Sequence, residues 1–196
     1  MMAMPRVKRR HLLAALALPT AALPRVAVAQ ADARPAITVA VQKIANTNTL
    51  DPMREQSSNV SERWLGSMLE TPIGRNQQGA LERVPALATG WTRIDARTVE
   101  LQLRDGVRMH NGDVLTAEDV AFSFGPERMF GPALPADIRA VARRYWPALE
   151  RVEVLPGNRV RFVNATPDLT MEGRLAAGGS QVVSARAWRC RTWMRP

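Results

Sequence analysis

The chain has one cysteine, Cys190, in 196 residues. That scarcity excludes a disulfide framework and any zinc site built on thiolates. Histidine is almost as rare: His11 lies near the N-terminus and His110 stands alone in the body, so a clustered imidazole metal site cannot be assembled. No G-x-S-x-G elbow and no glycine-rich phosphate loop occur, which removes two common signatures of hydrolases and nucleotide-binding proteins. The longest apolar run, residues 12–23, is about half the ~20 residues a membrane-spanning helix needs.

Acidic residues are missing from both ends, and this explains the charge. The formal net charge is +9. Residues 1–29 carry Arg6, Lys8, Arg9, Arg10 and Arg25 with no acid, and residues 186–196 carry Arg186, Arg189, Arg191 and Arg195 with none either. Between them, basic and acidic residues balance at 18 each. The body is neutral, so it lacks the electrostatic footprint of a nucleic-acid binder.

Residues 1–29 have a basic start, an apolar centre and a small-x-small ending, Ala27-Val28-Ala29. That is the layout of a secretory signal peptide, with export through the Sec route or, given Arg9-Arg10, the twin-arginine route. Once it is cleaved, no stable membrane insertion is expected, and no cysteine follows the cleavage site to take a lipid. The other end, residues 188–196, is a basic tail rich in Trp and Arg, and no helical or strand period is visible from Ala187 onward. It reads either as an ordinary basic tail or as a truncated or frame-shifted end; the second is the expectation adopted.

The body, residues 30–187, alternates short strands and helices. Residues 36–42 (AITVAVQ) are β-branched and apolar and predict a buried strand. Residues 58–70 place Val60, Trp64, Leu65 and Met68 on one helical face. Residues 72–79 predict a turn and residues 81–87 an extended or loop segment. A hairpin is predicted from 90–94 and 98–103, with Val99, Leu101 and Leu103 on one face and Glu100 and Gln102 on the other. Asp105-Gly106 is a turn, and Thr116 caps a helix with Glu118 and Asp119 in its first turn. Those two carboxylates diverge by about 100° around a helix and cannot work as an acid/base pair. Residues 125–135 predict a loop, 137–149 a partial helix ending before Pro147, and 151–155 with 159–163 a second hairpin around Pro156-Gly157-Asn158. A short helix over 168–176 and an extended 181–183 complete an α+β fold class.

Five elements in this order resemble the family-5 extracellular solute-binding proteins of ABC transporters. They are the exported strand ending at Leu50-Asp51-Pro52, the helix ending Met68-Leu69-Glu70, and Pro85-Ala86-Leu87-Ala88-Thr89-Gly90-Trp91. The fourth and most specific is Leu103-Arg104-Asp105-Gly106-Val107 with His110-Asn111-Gly112-Asp113 and the capped helix 115–123. The fifth is the hairpin 152–163 with Val182-Val183-Ser184. The resemblance covers about residues 37–187. It implies a partial N-terminal lobe of a two-lobed, type II-like periplasmic binding protein.

The implied function is capture of a peptide or similar small solute in the periplasm and delivery to an ABC transporter permease. No cofactor, metal or catalytic residue is implied. The resemblance points to Thr47, Asn48, Thr49 and Leu50 as one wall of the ligand cleft; as residues they equally describe an ordinary strand-to-helix loop. With part of one lobe only, tight binding by this chain alone is not expected. The competing readings are a non-functional remnant of such a receptor and, more remotely, an exported hydrolase.

Overall fold

The computed structural model describes residues 51–53 and 65–190. The predicted strand over 36–42, most of the helix over 58–70 and the loop Thr47–Leu50 therefore lie outside the described residues.

A helical turn, α1 (65–68), leads into a small antiparallel ribbon of β1 (Ile73–Arg75) and β2 (Arg83–Pro85). Next come β3 (Ala88–Asp95), β4 (Thr98–Leu103), α2 (Ala117–Ser123), a π-helical turn (Pro126–Phe130) and α3 (Ala136–Tyr145). The remainder is β5 (Leu149–Leu155), β6 (Arg159–Asn164), α4 (Met171–Leu175) and α5 (Ala185–Arg189). β3 to β6 form one antiparallel sheet in the order β3-β4-β6-β5.

Both predicted hairpins are present, each with one strand longer than expected at its start. In the first, Trp91 pairs with Leu101 and Arg93 with Val99. Asp95 closes its turn by accepting the Arg97 N–H at 2.7 Å. In the second, Leu155 pairs with Arg159 across Pro156-Gly157-Asn158. Gly157 and Asn158 take φ of +77° and +56°, the left-handed geometry that glycine and asparagine tolerate best.

The period of two in β4 decides which face is buried. Val99, Leu101 and Leu103 point inward with Val160 and Phe162 of β6, and all five are buried. They pack against Val120 of α2 and Phe124 just after it, Ile138 and Ala142 of α3, Met171 and Leu175 of α4, and Trp146. The outward face carries charge instead: Glu100 receives hydrogen bonds from Arg161 at 2.6 and 2.8 Å, and Arg161 also reaches Glu153 at 3.2 Å. Phe124, Trp146 and Phe162 form an aromatic nucleus, with Phe162 edge-on to Phe124 at 4.9 Å and stacked on Trp146 at 5.9 Å. The Trp146 indole N–H donates to the Gly179 carbonyl at 3.3 Å.

Three expectations are corrected. Residues 125–135 are not all loop: Pro126–Phe130 coil into a π-helical turn, closed by Gly131 N–H donating to the Pro126 carbonyl at 2.7 Å. Proline fits there because it occupies the first position, where no amide donor is needed. The expected turn over 72–79 contains β1, held by β2 from the segment expected to be extended. The lack of regular structure expected from Ala187 also fails, since Ala187, Trp188 and Arg189 belong to α5. That helix has no apolar period to reveal it; it is started by Ser184, whose hydroxyl accepts the Ala187 N–H at 3.1 Å.

Among the described residues, no helix is long and apolar enough to cross a membrane.

Candidate functional site

A cavity of about 460 Å³ opens between three segments that are far apart in the sequence. One wall is residues 66–70, where α1 ends. The second is the loop 107–111 that follows β4, and the third is the extended strip 182–184 with Ala187 of α5. Leu87 and Leu115 contribute apolar surface and are themselves buried. A cavity of this size, apolar with a few convergent polar groups, falls in the range of small-molecule sites.

Local chemistry builds each wall. The loop wall is a tight excursion held by its own backbone. Met109 N–H donates to Asp113 at 2.9 Å, Gly112 N–H to Met109 at 2.9 Å, and Leu115 N–H to Val107 at 2.8 Å. Gly112 sits at φ +85°, which a residue with a side chain adopts only with strain. Asn111 stiffens the loop from within, accepting the Asp113 N–H at 3.2 Å and donating to the Asp113 carboxylate at 2.8 Å. Its amide also reaches Ser184 Oγ at 3.3 Å and so ties the second wall to the third. The first and third walls are joined by Val182 N–H donating to the Glu70 carbonyl at 3.0 Å.

Glu70 and Arg108 bring groups of opposite sign to the rim, with His110 beside them, and all three are exposed. Arg108 donates to the Gly112 carbonyl at 3.2 Å, which directs its guanidinium back along the loop. Ser67, Asn111 and Ser184 add short polar groups, and Met68 and Met109 add adaptable apolar surface. The Ser184 hydroxyl accepts from the Asn111 amide and the Ala187 N–H, the second of which caps α5.

Glu118 is exposed while Asp119, its neighbour, is buried, so the two carboxylates do diverge. Asp119 accepts Thr116 N–H at 3.0 Å at the start of α2 and, through its other oxygen, Ala185 N–H at 2.9 Å at the start of α5. Beside this junction, a hydrogen bond from Arg189 holds the Glu127 carboxyl below its ordinary range. Trp91, the last residue of the Pro85–Trp91 motif, is half-buried against the core.

Thr47, Asn48, Thr49 and Leu50, to which the resemblance points as one wall of a ligand cleft, lie outside the described residues. His110, too isolated in the sequence for a metal site, lies on the cavity rim. The signal was present in another form. Met68-Leu69-Glu70, His110-Asn111 and Val182-Val183-Ser184 come from three separate stretches of the resemblance, and the fold brings all three to this cavity.

Residues 82–194 match the sequence profile of the bacterial extracellular solute-binding proteins, family 5 Middle, over more than half of the chain. The chain belongs to this family. The match runs past Ala187 into the basic tail. No curated protein matches the sequence.

Solved structures show the same fold. The periplasmic binding protein AgaA from A. tumefaciens R10, in complex with agropinic acid, superposes with a TM-score of 0.63 at 23% identity, covering 78% of this chain and 29% of that one. The ABC transporter-associated periplasmic binding protein DppA from Helicobacter pylori, in complex with the peptide STSA, gives 0.59 at 22% identity over 74% of this chain and 30% of that one. The Escherichia coli murein tripeptide binding protein MppA gives 0.60 at 18% identity over 76% and 31%. The family-5 chain described here therefore spans under a third of the length of the solved proteins it matches. Its fold is a partial domain of that α+β, two-lobed architecture.

Proposed function

We propose that this chain serves solute capture for an ABC importer, as part of the N-terminal lobe of a receptor that meets its permease from the periplasm. The observation that carries this reading is the convergence of three family-like segments on one cavity of about 460 Å³. The ligand is a peptide or a similar small solute. The apolar interior suits a side chain, and the presence of both Glu70 and Arg108 suits a molecule with charges of both signs. Thr47, Asn48, Thr49 and Leu50 are proposed to extend the cleft wall. The role is binding and not catalysis, and export follows from the signal-like residues 1–29. A two-lobed receptor holds its ligand by hinge closure. A chain spanning under a third of such structures supplies too little enclosing surface for tight binding by itself.

The test is a titration of the purified chain with di- and tripeptide pools at millimolar concentration, followed by amide NMR. Shifts are expected at residues 107–111 and 182–184, with dissociation constants well above ~1 µM. Sub-micromolar binding by the monomer would overturn the reading that this chain encloses too little of a ligand to bind it tightly. Unchanged spectra at all of these amides would overturn the assignment of the cavity as a ligand site.

A further inference from the structure

The third wall of the cavity is held in an unusual way. Ser184 and Ala187 line the cavity, and they belong to a strap, residues 184–190, whose helix α5 buries none of its own residues. An element with no buried side chain gains little from the hydrophobic effect, which elsewhere in this fold fixes helices to the sheet. The strap's hydrogen bonds and ion pairs lie at its start and along its exposed face, beside one aromatic contact from Trp188.

At the start, the buried Asp119 accepts the Ala185 N–H at 2.9 Å, and Ser123 Oγ accepts the Val183 N–H at 3.0 Å while donating to the Asp119 carbonyl at 2.7 Å. Further along, Arg186 reaches Asp113 at 3.0 Å and Arg189 reaches Glu127 at 2.7 Å. Both ion pairs are solvent-exposed: Arg186 and Arg189 are 77% and 58% accessible. Two side chains of the strap also pack on aromatic groups, Trp188 and Arg189, the latter lying over the Phe122 ring at 5.0 Å. Trp188 lies under the Arg128 guanidinium at 4.3 Å and at 6.4 Å from Phe122, and it stays half-exposed.

We propose that residues 184–190 are a salt-sensitive strap that docks and undocks as a unit, with the Asp119 carboxylate as its positioning residue. Asp119 is suited to this because its two oxygens serve different elements. One belongs to the capping box of α2 and the other to the first amide of α5, so a single buried carboxylate joins the strap to the helix that is anchored in the core. Undocking removes Ser184 and Ala187 from the cavity wall and breaks the Asn111–Ser184 link, while the aromatic nucleus and the sheet are untouched. The strap thus sets whether the cavity has a third wall. Its relevance to solute capture rests on the function proposed above, but its motion can be measured without any ligand.

Cys190, the sole cysteine, closes α5 and offers a reporter that needs no substitution. The experiment attaches a nitroxide to Cys190 of the full chain and reads its mobility by electron paramagnetic resonance, with the far-UV melting curve recorded in parallel. At low ionic strength the label is expected to be mainly immobilised. Raising NaCl to about 0.5 M should increase the mobile fraction about threefold, because exposed ion pairs are screened over a few ångströms at that strength.

Asp119→Ala should do the same at low salt, whereas Thr116→Ala, which weakens the α2 cap but leaves the Ala185 contact, should not. Glu127→Arg should mobilise the label and adding Arg189→Glu should immobilise it again, which keeps the test valid if Asp119→Ala fails to fold. The proposal is overturned if the mobile fraction is insensitive to salt and to Glu127→Arg. It is equally overturned if the label is released only together with the global melting transition.

Discussion

The Arg128 guanidinium meets the Asp51 carboxylate at 2.8 Å with both side chains almost wholly shielded, 2% and 9% accessible. Arg128 comes from the π-helical turn, and Asp51 also accepts the Met53 N–H at 2.9 Å. The pair therefore ties the Asp51-Pro52 turn to the turn following α2. Removing one member of a shielded pair strands the other charge, which typically costs about 3–5 kcal/mol. Asp51→Ala and Arg128→Met are each expected to lower the unfolding free energy by about that much. The double variant should lose clearly less than the sum. Urea denaturation of the four proteins measures the coupling, and strict additivity would show that the pair does not act as one.

Gly179 presents a different constraint. Its φ is +83°, and a Cβ built on it would lie 2.5 Å from Cγ of Tyr145. Both the backbone and the space require glycine. Gly179→Ala is expected to cost about 2–5 kcal/mol, combining a left-handed penalty of about 1–2 kcal/mol with overpacking of about 1–3 kcal/mol. In a Tyr145→Ala background the ring is gone and only the backbone penalty remains, so the same substitution should cost about 1–2 kcal/mol. Equal costs in the two backgrounds would mean that the ring is not the obstacle.

These two cases show what the sequence could and could not reveal. The hairpins were legible because their signals are local: period-two strands, Asp95 next to its turn, and Pro156-Gly157-Asn158 between paired strands. The capped helix α2 was legible for the same reason, since Thr116 and Asp119 lie three residues apart. The Asp51–Arg128 pair joins positions far apart in the chain, and no local pattern announces it. The cavity is harder still, because its walls come from three remote segments and only the fold brings them together. The π-helical turn was hidden by its prolines and glycines, and α5 by its want of an apolar face.

The reciprocal cap of α2 can be divided by mutation. Thr116 Oγ accepts the Asp119 N–H at 3.4 Å while the Asp119 carboxylate accepts the Thr116 N–H at 3.0 Å. Thr116→Ala should therefore cost about 1 kcal/mol, the usual value of an N-cap. Asp119→Ala keeps the backbone N–H that Thr116 caps but leaves both the Thr116 and the Ala185 amides without their carboxylate acceptor, and it should cost about 2–3 kcal/mol. Thermal unfolding at neutral pH compares them. Equal losses would show that the contact to Ala185 adds nothing to global stability.

The acid limit of stability should be set by carboxylates that the fold keeps ionised. Burial alone would push the Asp168 carboxyl up, but hydrogen bonds from the Thr170 hydroxyl and N–H and from Arg174 outweigh it, and the net shift is downward from 3.8. Those partners stand at 2.6, 2.8 and 2.8 Å. A carboxyl whose folded value lies below its unfolded value contributes stability that is fully present above the unfolded value. That contribution disappears as pH falls through the lower, folded value. The urea midpoint should therefore be flat from about pH 7 to 5 and decline below about pH 4. Asp168→Asn keeps the shape of the side chain but cannot ionise, so it should be less stable than the wild type at pH 7 and approach it at the acid end of the range. A constant gap between the two proteins across that range would show that the Asp168 charge, as distinct from its hydrogen-bonding shape, contributes nothing.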